Sequence, residues 1–593
     1  MRGVIADPSG ATVSGAEVDL LDPDGAVAGK VRSDGEGAFQ LQAPHAGPYT
    51  LVVSEPGFET VKTPVVIAAP AAALVAKPGA PLPPALLHIV LPIASFSTSV
   101  QVSAEQSQDL TSTEDNRDSS VMTAGELKAL PIFDNDYAGA MSAFLDDSAT
   151  GTGGSGLLVD GVEANRATVS TSAVQEVRIN QDPYSAQYYW PGRGQMEIVT
   201  KAASEHYHGQ FNFTYRNSGM NAQNALAPSK PFEQRQNYEG HVTGPIPRAR
   251  KSGFLASFNR VLFDQEAVVH ATVLDPTDPS QPLALHSNVS APQRDTEFSV
   301  RGSHQFGERH SAYAQYSYQD WTGRNLGAGG QTLATAGYNS EYREDDTVIH
   351  ADSTLSPVLL NQLSIVAEHD SSRNTNAVEG PRMSVSGDFL AGSAQVDAFS
   401  TEYNFRIYDM ATWTHGRHTI KIGAGTPHIS RRAFDDHTNQ LGTYTFGPTE
   451  DSNGNVLETA LENYAAHLPS GYSQNTGDTH FVYHQQEMGA FIQDQFKVND
   501  RFSITPGLRY DWQNFLATRR LGFAPRVSFA LVLDEESKTI VRGGGGIYYD
   551  RVGSGPLLDL VRFESARRRS VLLSLDPATL PSTGCVPITL CLT

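Results

Sequence analysis

Repeated segments that alternate apolar and polar residues, with aromatic-rich apolar faces, constrain this chain more than anything else in its sequence. In Phe502–Trp512, residues Phe502, Ile504, Leu508, Tyr510 and Trp512 fall on one face of an extended strand. Ser503, Thr505, Arg509 and Asp511 fall on the other. Across 311–321, Ala312, Ala314, Tyr316 and Tyr318 oppose Ser311, Gln315, Ser317 and Gln319. Phe211, Phe213 and Tyr215 oppose Gln210, Asn212, Thr214 and Arg216. A period of two with aromatic-rich ends fits a strand with lipid on one side and a water-lined lumen on the other.

The connections give a second, independent signal. Strands are expected near 206–216, 237–244, 253–263, 296–305, 310–321, 342–353, 360–370, 401–414, 417–425, 486–498, 501–513, 525–532 and 539–550. Connections are then long after each odd strand and short after each even one. Gly307-Glu308-Arg309, His415-Gly416 and Asn499-Asp500 are short; Asp264–Arg294 and Thr426–Gln485 are long. A soluble sandwich has no reason to sort loops this way. An outer-membrane barrel has short periplasmic turns and long external loops. Odd strands therefore run outward and even strands inward.

Composition fits that reading. No window of the 593 residues supplies the ~20 apolar residues that a spanning helix needs. The segment 85–96 is short and carries His88 and Pro92. A net charge of −22 argues against nucleic acid, whose binders neutralise phosphate with basic surfaces. The cysteines, Cys585 and Cys591, are a close pair whose spacing allows either a local disulfide in an oxidising compartment or two thiols. Residues 1–20 show no basic and then apolar leader, so Met1 is expected to mark a misplaced or trimmed start.

Residues 1–95 read as a small β-sandwich. Asp7-Pro8-Ser9-Gly10, Asp22-Pro23-Asp24-Gly25 and Asp34-Gly35-Glu36-Gly37 are turn formers between the strand-like 16–21, 38–41 and 49–53, with 86–91 as a last strand. Ser33-Asp34-Gly35, Ala46-Gly47-Pro48-Tyr49-Thr50-Leu51 and Pro56-Gly57-Phe58 resemble the carboxypeptidase-regulatory-like family, an accessory domain without zinc ligands. An Ala/Pro spacer, 68–84, lies within this zone.

In 96–203, Thr123 is an expected N-cap with Glu126 three residues on, and the helix should stop before Pro131. Leu158-Val159-Asp160-Gly161-Val162, Val174-Gln175-Glu176-Val177-Arg178-Ile179 and 192–201, which includes Gly194, Thr200 and Lys201, follow in order. They lead directly into His208-Gly209-Gln210-Phe211-Asn212-Phe213. This order resembles the end of the plug and the first barrel strand of TonB-dependent outer-membrane receptors, most closely the Oar-like group. The resemblance implies three zones: sandwich (1–95), small α/β plug (96–203) and antiparallel transmembrane β-barrel (204–593). With about thirteen strands against the ~22 of such transporters, the barrel is expected to be incomplete at its C-terminal end and its sheet unclosed.

The resemblance also implies energised uptake of a nutrient and no enzyme activity. The location is the bacterial outer membrane, with the N-terminal domain periplasmic. The partners are TonB of the inner-membrane energising complex, outer-membrane lipid and an unidentified small or oligomeric ligand. Ser99-Val100-Gln101-Val102-Ser103 is the nearest match to a TonB box; the same residues could instead close the sandwich. The second functional reading is a non-transporting adhesin or polysaccharide-docking barrel. No metal site or cofactor is expected. His206 and His208 lack a third ligand nearby in sequence, and Gly543–Gly546 lacks the Lys-Ser/Thr of a phosphate loop and reads as a close-packed or bent strand. Asp22, Asp24, Asp34 and Glu36 read as turn formers and not a calcium cluster.

Overall fold

The computed structural model describes residues 1–6, 12–13, 15–22, 27–35, 37–41, 43–54, 61–67, 86–90, 120–129, 137–142, 156–167, 169–179, 184–188, 195–515, 522–533, 539–549, 554–562 and 567–575. They form two compact units, Met1–Ser97 with Ala202–Tyr207, and Thr98–Lys201 with His208–Thr593.

In the first unit, Gly47–Ser54 alternates so that Tyr49, Leu51 and Val53 point inward. It pairs with Glu17–Leu21 and Val61–Ile67, and Val27–Arg32 completes a four-stranded sheet. A second sheet of three strands sets Arg2–Ala6 between Ala38–Gln40 and Leu86–Val90, the last of them parallel. Ile5, Phe39 and Ile89 from one sheet pack with Val18, Leu20 and Leu51 from the other, so the sandwich has one apolar core.

The second unit begins with a five-stranded sheet, ordered Val162–Glu163, Gly156–Val159, Gln195–Thr200, Val174–Ile179, Ser120–Thr123. Helices Ala124–Ala129 and Tyr137–Ser142 accompany it. The expected capping box is formed: Glu126 Oε2 accepts from Thr123 N at 2.8 Å, and Thr123 Oγ1 accepts from Glu126 N at 3.4 Å. Leu127, Met141, Val159, Val177, Ile179 and Ile198 fill the core of this insert.

A fourteen-stranded antiparallel sheet follows, thirteen strands of which lie on one path. They are His208–Asn217, Glu233–Pro245, Ser252–Leu274, Gln293–Phe306, His310–Leu326, Tyr338–Ser356, Leu359–Asn376, Ala398–His415, His418–Asp436, His480–Asn499, Phe502–Gln513, Phe523–Val532 and Ile540–Gly546. Each expected strand is present, and the long–short alternation of connections holds. Among the described residues the first and last of these strands are not paired with each other. Burial is reversed relative to a soluble protein: Glu239, Ser317 and Glu344 are buried, while Phe211, Phe213, Val300 and Ile349 are exposed.

Two expected loops are corrected. Within the expected loop 264–294, Ser252–Leu274 continues as a strand and Pro282–Ser290 folds back on it as a hairpin. Within the expected loop 426–485, His418–Asp436 and His480–Asn499 extend well into the segment, leaving 437–479 as the connection. The reason is the reach of the strands. About 9–11 tilted residues cross the bilayer, whereas these strands have 23, 19 and 20. Beyond the lipid the outward face no longer needs apolar residues, so the alternation stops while the strand goes on.

The long connections also build a sheet of their own, which the sequence reading did not foresee. Its order is Phe389–Gly392, Arg382–Val385, Thr443–Phe446, Gly471–Gly477, Arg568–Ser574. Val385, Phe389 and Phe446 pack with Leu461 of helix Ala460–Ala465 and with Val269. Buried Arg568 and half-buried Arg562 both pair with Asp436 at the end of the wall strand His418–Asp436, fastening this external sheet to the wall.

Candidate functional site

The site is the surface where the insert of 120–201 meets the lumen-facing side of the wall. Asp160 ends a buried strand and takes a left-handed turn (φ 49°), which its short polar side chain tolerates; Gly161 follows at φ 78°. The turn aims the Asp160 carboxylate at the neighbouring strand. It accepts from Thr200 N and Thr200 Oγ1, both at 2.8 Å. Arg301 of the wall closes the group, pairing with Asp160 and donating to Thr200 Oγ1 at 2.7 Å. Its guanidinium also donates to Gln315 Oε1 at 2.7–2.9 Å and lies over the Tyr313 ring at 4.3 Å.

Other contacts spread around the wall. Arg166 Nε pairs with Glu344 Oε2 at 2.8 Å, and Asn165 bonds to Glu368. Oxygens of Glu344, Glu368 and Asp370 lie within 4.8 Å of one another, and Arg166 together with Arg406 brings positive charge to that group. Ser172 N donates to Glu239 Oε1 at 2.6 Å, and Lys201 Nζ holds the Ser172 carbonyl at 2.6 Å. The loop 184–188 is held by the wall's far strands. Gln493 Oε1 accepts from Ser185 Oγ at 2.9 Å and Ala186 N at 2.8 Å. Arg509 donates to the Gln187 carbonyl at 2.8 Å, and Arg526 to those of Ser185 and Tyr188. A Cβ on Gly544 would lie 2.6 Å from the Tyr184 ring, so a bare backbone there lets this loop approach the wall.

Of the residues singled out from sequence, Asp160, Gly161, Thr200 and Lys201 converge on this interface. Glu176 instead pairs with Arg178 at 2.7 Å within the insert's own sheet. There Arg178 also reaches Glu197, whose carboxyl burial pushes above its usual range. Gly194, Ser99–Ser103, Cys585 and Cys591 lie outside the described residues. The sequence reading missed Arg166, Glu239, Arg301, Glu344, Gln493 and Arg526. The only signal for the five wall residues was a charged or amide side chain on a lumen-facing position, and Arg166, in a bend of the insert, carried none.

Comparison with known proteins agrees with this geometry. Residues 265–520 match the family described as outer membrane beta barrel domain, and residues 1–76 the carboxypeptidase regulatory-like domain. No curated protein matches the chain. The outer membrane transporter YddB from Escherichia coli superposes with a TM-score of 0.53 at 12% identity, over 76% of this chain and 63% of that one. The siderophore receptor PirA from Pseudomonas aeruginosa gives 0.46 at 13%, over 74% and 63%. PirA from Acinetobacter baumannii gives 0.47 at 15%, over 72% and 60%. The chain spans less than two thirds of the length of each. Residues 265–520 thus carry an outer membrane beta barrel domain and residues 1–76 a carboxypeptidase regulatory-like domain, and insert and wall together share the fold of that outer membrane transporter.

Proposed function

We propose that the chain works as a TonB-dependent receptor that takes up a nutrient across the outer membrane, with the insert as a displaceable stopper. One observation carries the reading: polar contacts hold the insert to the wall from Glu233–Pro245 round to Phe523–Val532. A neutral bond of this kind contributes about 0.5–1.5 kcal/mol net and one to a charged group about 1.5–3 kcal/mol, because water replaces it when it breaks. A stopper held this way is firm against thermal motion, yet it can be released piecewise by a pull. The first wall strand runs outward, so the chain before it lies on the periplasmic side, where TonB can reach. On this reading 1–95 is the periplasmic sandwich, 96–203 the plug and 204–593 the barrel.

Ser99–Ser103 is the proposed coupling segment. An extended segment can add as a strand to a partner's sheet edge through backbone hydrogen bonds, with little demand on sequence. Val100→Pro or Val102→Pro removes one backbone donor and restricts the residue before it. In cells given a panel of ferric siderophores, cobalamin, oligosaccharides and peptides, surface binding should survive either change. Accumulation of the bound compound should collapse, and a protonophore should do the same to the unmodified protein. Accumulation unchanged in both tests would transfer the function to the surface-docking reading.

A further inference from the structure

Around much of the lumen the wall meets the insert through polar side chains, but apolar ones meet too, as Leu255 does in the insert's core and as a second sector shows. There Met410, Phe491 and Tyr408 pack with Ala186 of the insert. Tyr408 and Phe491 lie against Gly425 and Gly423, where a Cβ would come within 2.7 and 2.5 Å of the rings. The strand register slips in the same place, between Asn404 and Ile407 on one pair and between Gly425 and His428 on the next. Pro427, which has no N–H to give a ladder, sits in the slip. Beside it lies a cavity of about 80 Å³ between wall and insert. Leu158, Val162, Val366, Ile407 and Phe491 give it apolar sides, and Arg406 and Arg509 reach it as well.

Arg509 is engaged by Asp511 and by the Ala186 and Gln187 carbonyls. Arg406 is not fully engaged. It is 8% exposed and its Nη2 pairs with Glu368 at 3.3 Å, but its Nε has no hydrogen-bond partner among the described residues. A buried donor left unpaired costs about 1–3 kcal/mol, so an acceptor placed in the cavity that Arg406 lines could relieve that cost. The cavity does not lack a negative charge, because Glu368 and Asp511 already face the two guanidiniums and Glu163 lines it. The volume is several times the ~10–15 Å³ that a single water needs.

We propose that this cavity binds a small uncharged molecule with an aromatic or branched aliphatic body and one carbonyl or hydroxyl oxygen. The body packs against Phe491 and Val366, and the oxygen accepts from Arg406 Nε. The site stands whether or not the chain transports anything. 4-Bromobenzamide is a suitable probe for crystals of the full chain, because bromine scatters anomalously. A bromine peak beside Phe491 is expected, with the amide oxygen toward Arg406. In nanodiscs, 4-fluorobenzamide should show saturable fluorine line broadening. 4-Fluorobenzoate and 4-fluorotoluene should bind roughly tenfold more weakly or worse, since one brings an unwanted charge and the other no acceptor. Val366→Phe fills the cavity without touching a charge and should abolish both signals, while partition into lipid stays equal in the two proteins. Soaked crystals with only water in the cavity would overturn the proposal. So would broadening that is identical in Val366→Phe, or benzoate binding as well as the amide.

Discussion

The N-terminal sandwich and the wall are both built from strands that alternate with a period of two, and they use the alternation in opposite senses. In the sandwich Val18, Leu20 and Leu51 are fully buried, while charged pairs such as Lys30 with Glu17 sit outside. In the wall Glu239 and Glu344 are 1% exposed and Phe211 is 63% exposed. The backbone rule is the same in both: each N–H and C=O must find a partner, and pairing to neighbouring strands supplies it. The medium outside each sheet differs. Water rewards the sandwich for hiding its apolar face, at roughly 25 cal/mol per Å². Lipid offers the wall no such return for turning apolar groups inward, and the lumen is left to polar side chains that hold the insert.

The sharpest way to break this contrast is to place one charge on the apolar face of each region. Leu51→Asp puts a carboxylate with no partner into the sandwich core, at a cost of about 4 kcal/mol or more. Residues 1–95 expressed alone should be soluble and β-rich by circular dichroism, and this change should erase the β signal. A disordered spectrum for the unmodified segment would refute its independence. Ile349→Arg makes the matching change near the middle of Tyr338–Ser356, on an exposed position. At the bilayer midplane it should cost about 2–4 kcal/mol, seen as a lower urea midpoint for folding into lipid vesicles. The same variant in detergent should lose much less. Equal losses in lipid and detergent would mean that this face does not meet the acyl chains.

The contrast also explains what could be read from the sequence. Face and direction of the wall strands were legible, because lipid on one side and a polar lumen on the other impose the period along the whole membrane span. Phe502–Trp512 and Gln315–Ser317 fell on the faces assigned to them. Partners across the lumen were not legible. Alternation placed Arg509 inward without naming Gln187, and Arg301 meets Asp160 from 141 residues away. The external sheet was hidden for a related reason. Arg382–Val385 and Thr443–Phe446 have four residues each and pair in parallel between separate connections. Strands so short, joined at such range, leave little periodic signal, and their buried residues Val385, Phe389 and Phe446 meet Leu461 and Val269 only through the tertiary fold.

The smallest expected effect lies in that external, water-bathed layer, where polar contacts should be worth much less than in the lumen. His437 follows the end of His418–Asp436 and is partly exposed. Its Nδ1 meets Gln440 Oε1, and its Nε2 lies 3.1 Å from Asp435 Oδ1. Only the protonated ring can donate from both nitrogens. The Gln440 contact first, and Asp435 after it, therefore raise the His437 pKa above its usual value. A group whose folded pKa is raised stabilises fully below the unfolded value of about 6.5 and loses that contribution as pH rises through the folded value. The turn at 437–440 should thus be tightest in mild acid and loosen above neutrality. Because solvent screens the pair, the effect should stay below about 1 kcal/mol. Proton NMR of the histidine rings should show His437 titrating above 6.5, and Gln440→Leu should move it down. Titration at or below 6.5 in the unmodified protein would mean that the second donor contact is not made in solution. The rim would then owe its order to the apolar packing of Phe389, Phe446 and Leu461 alone.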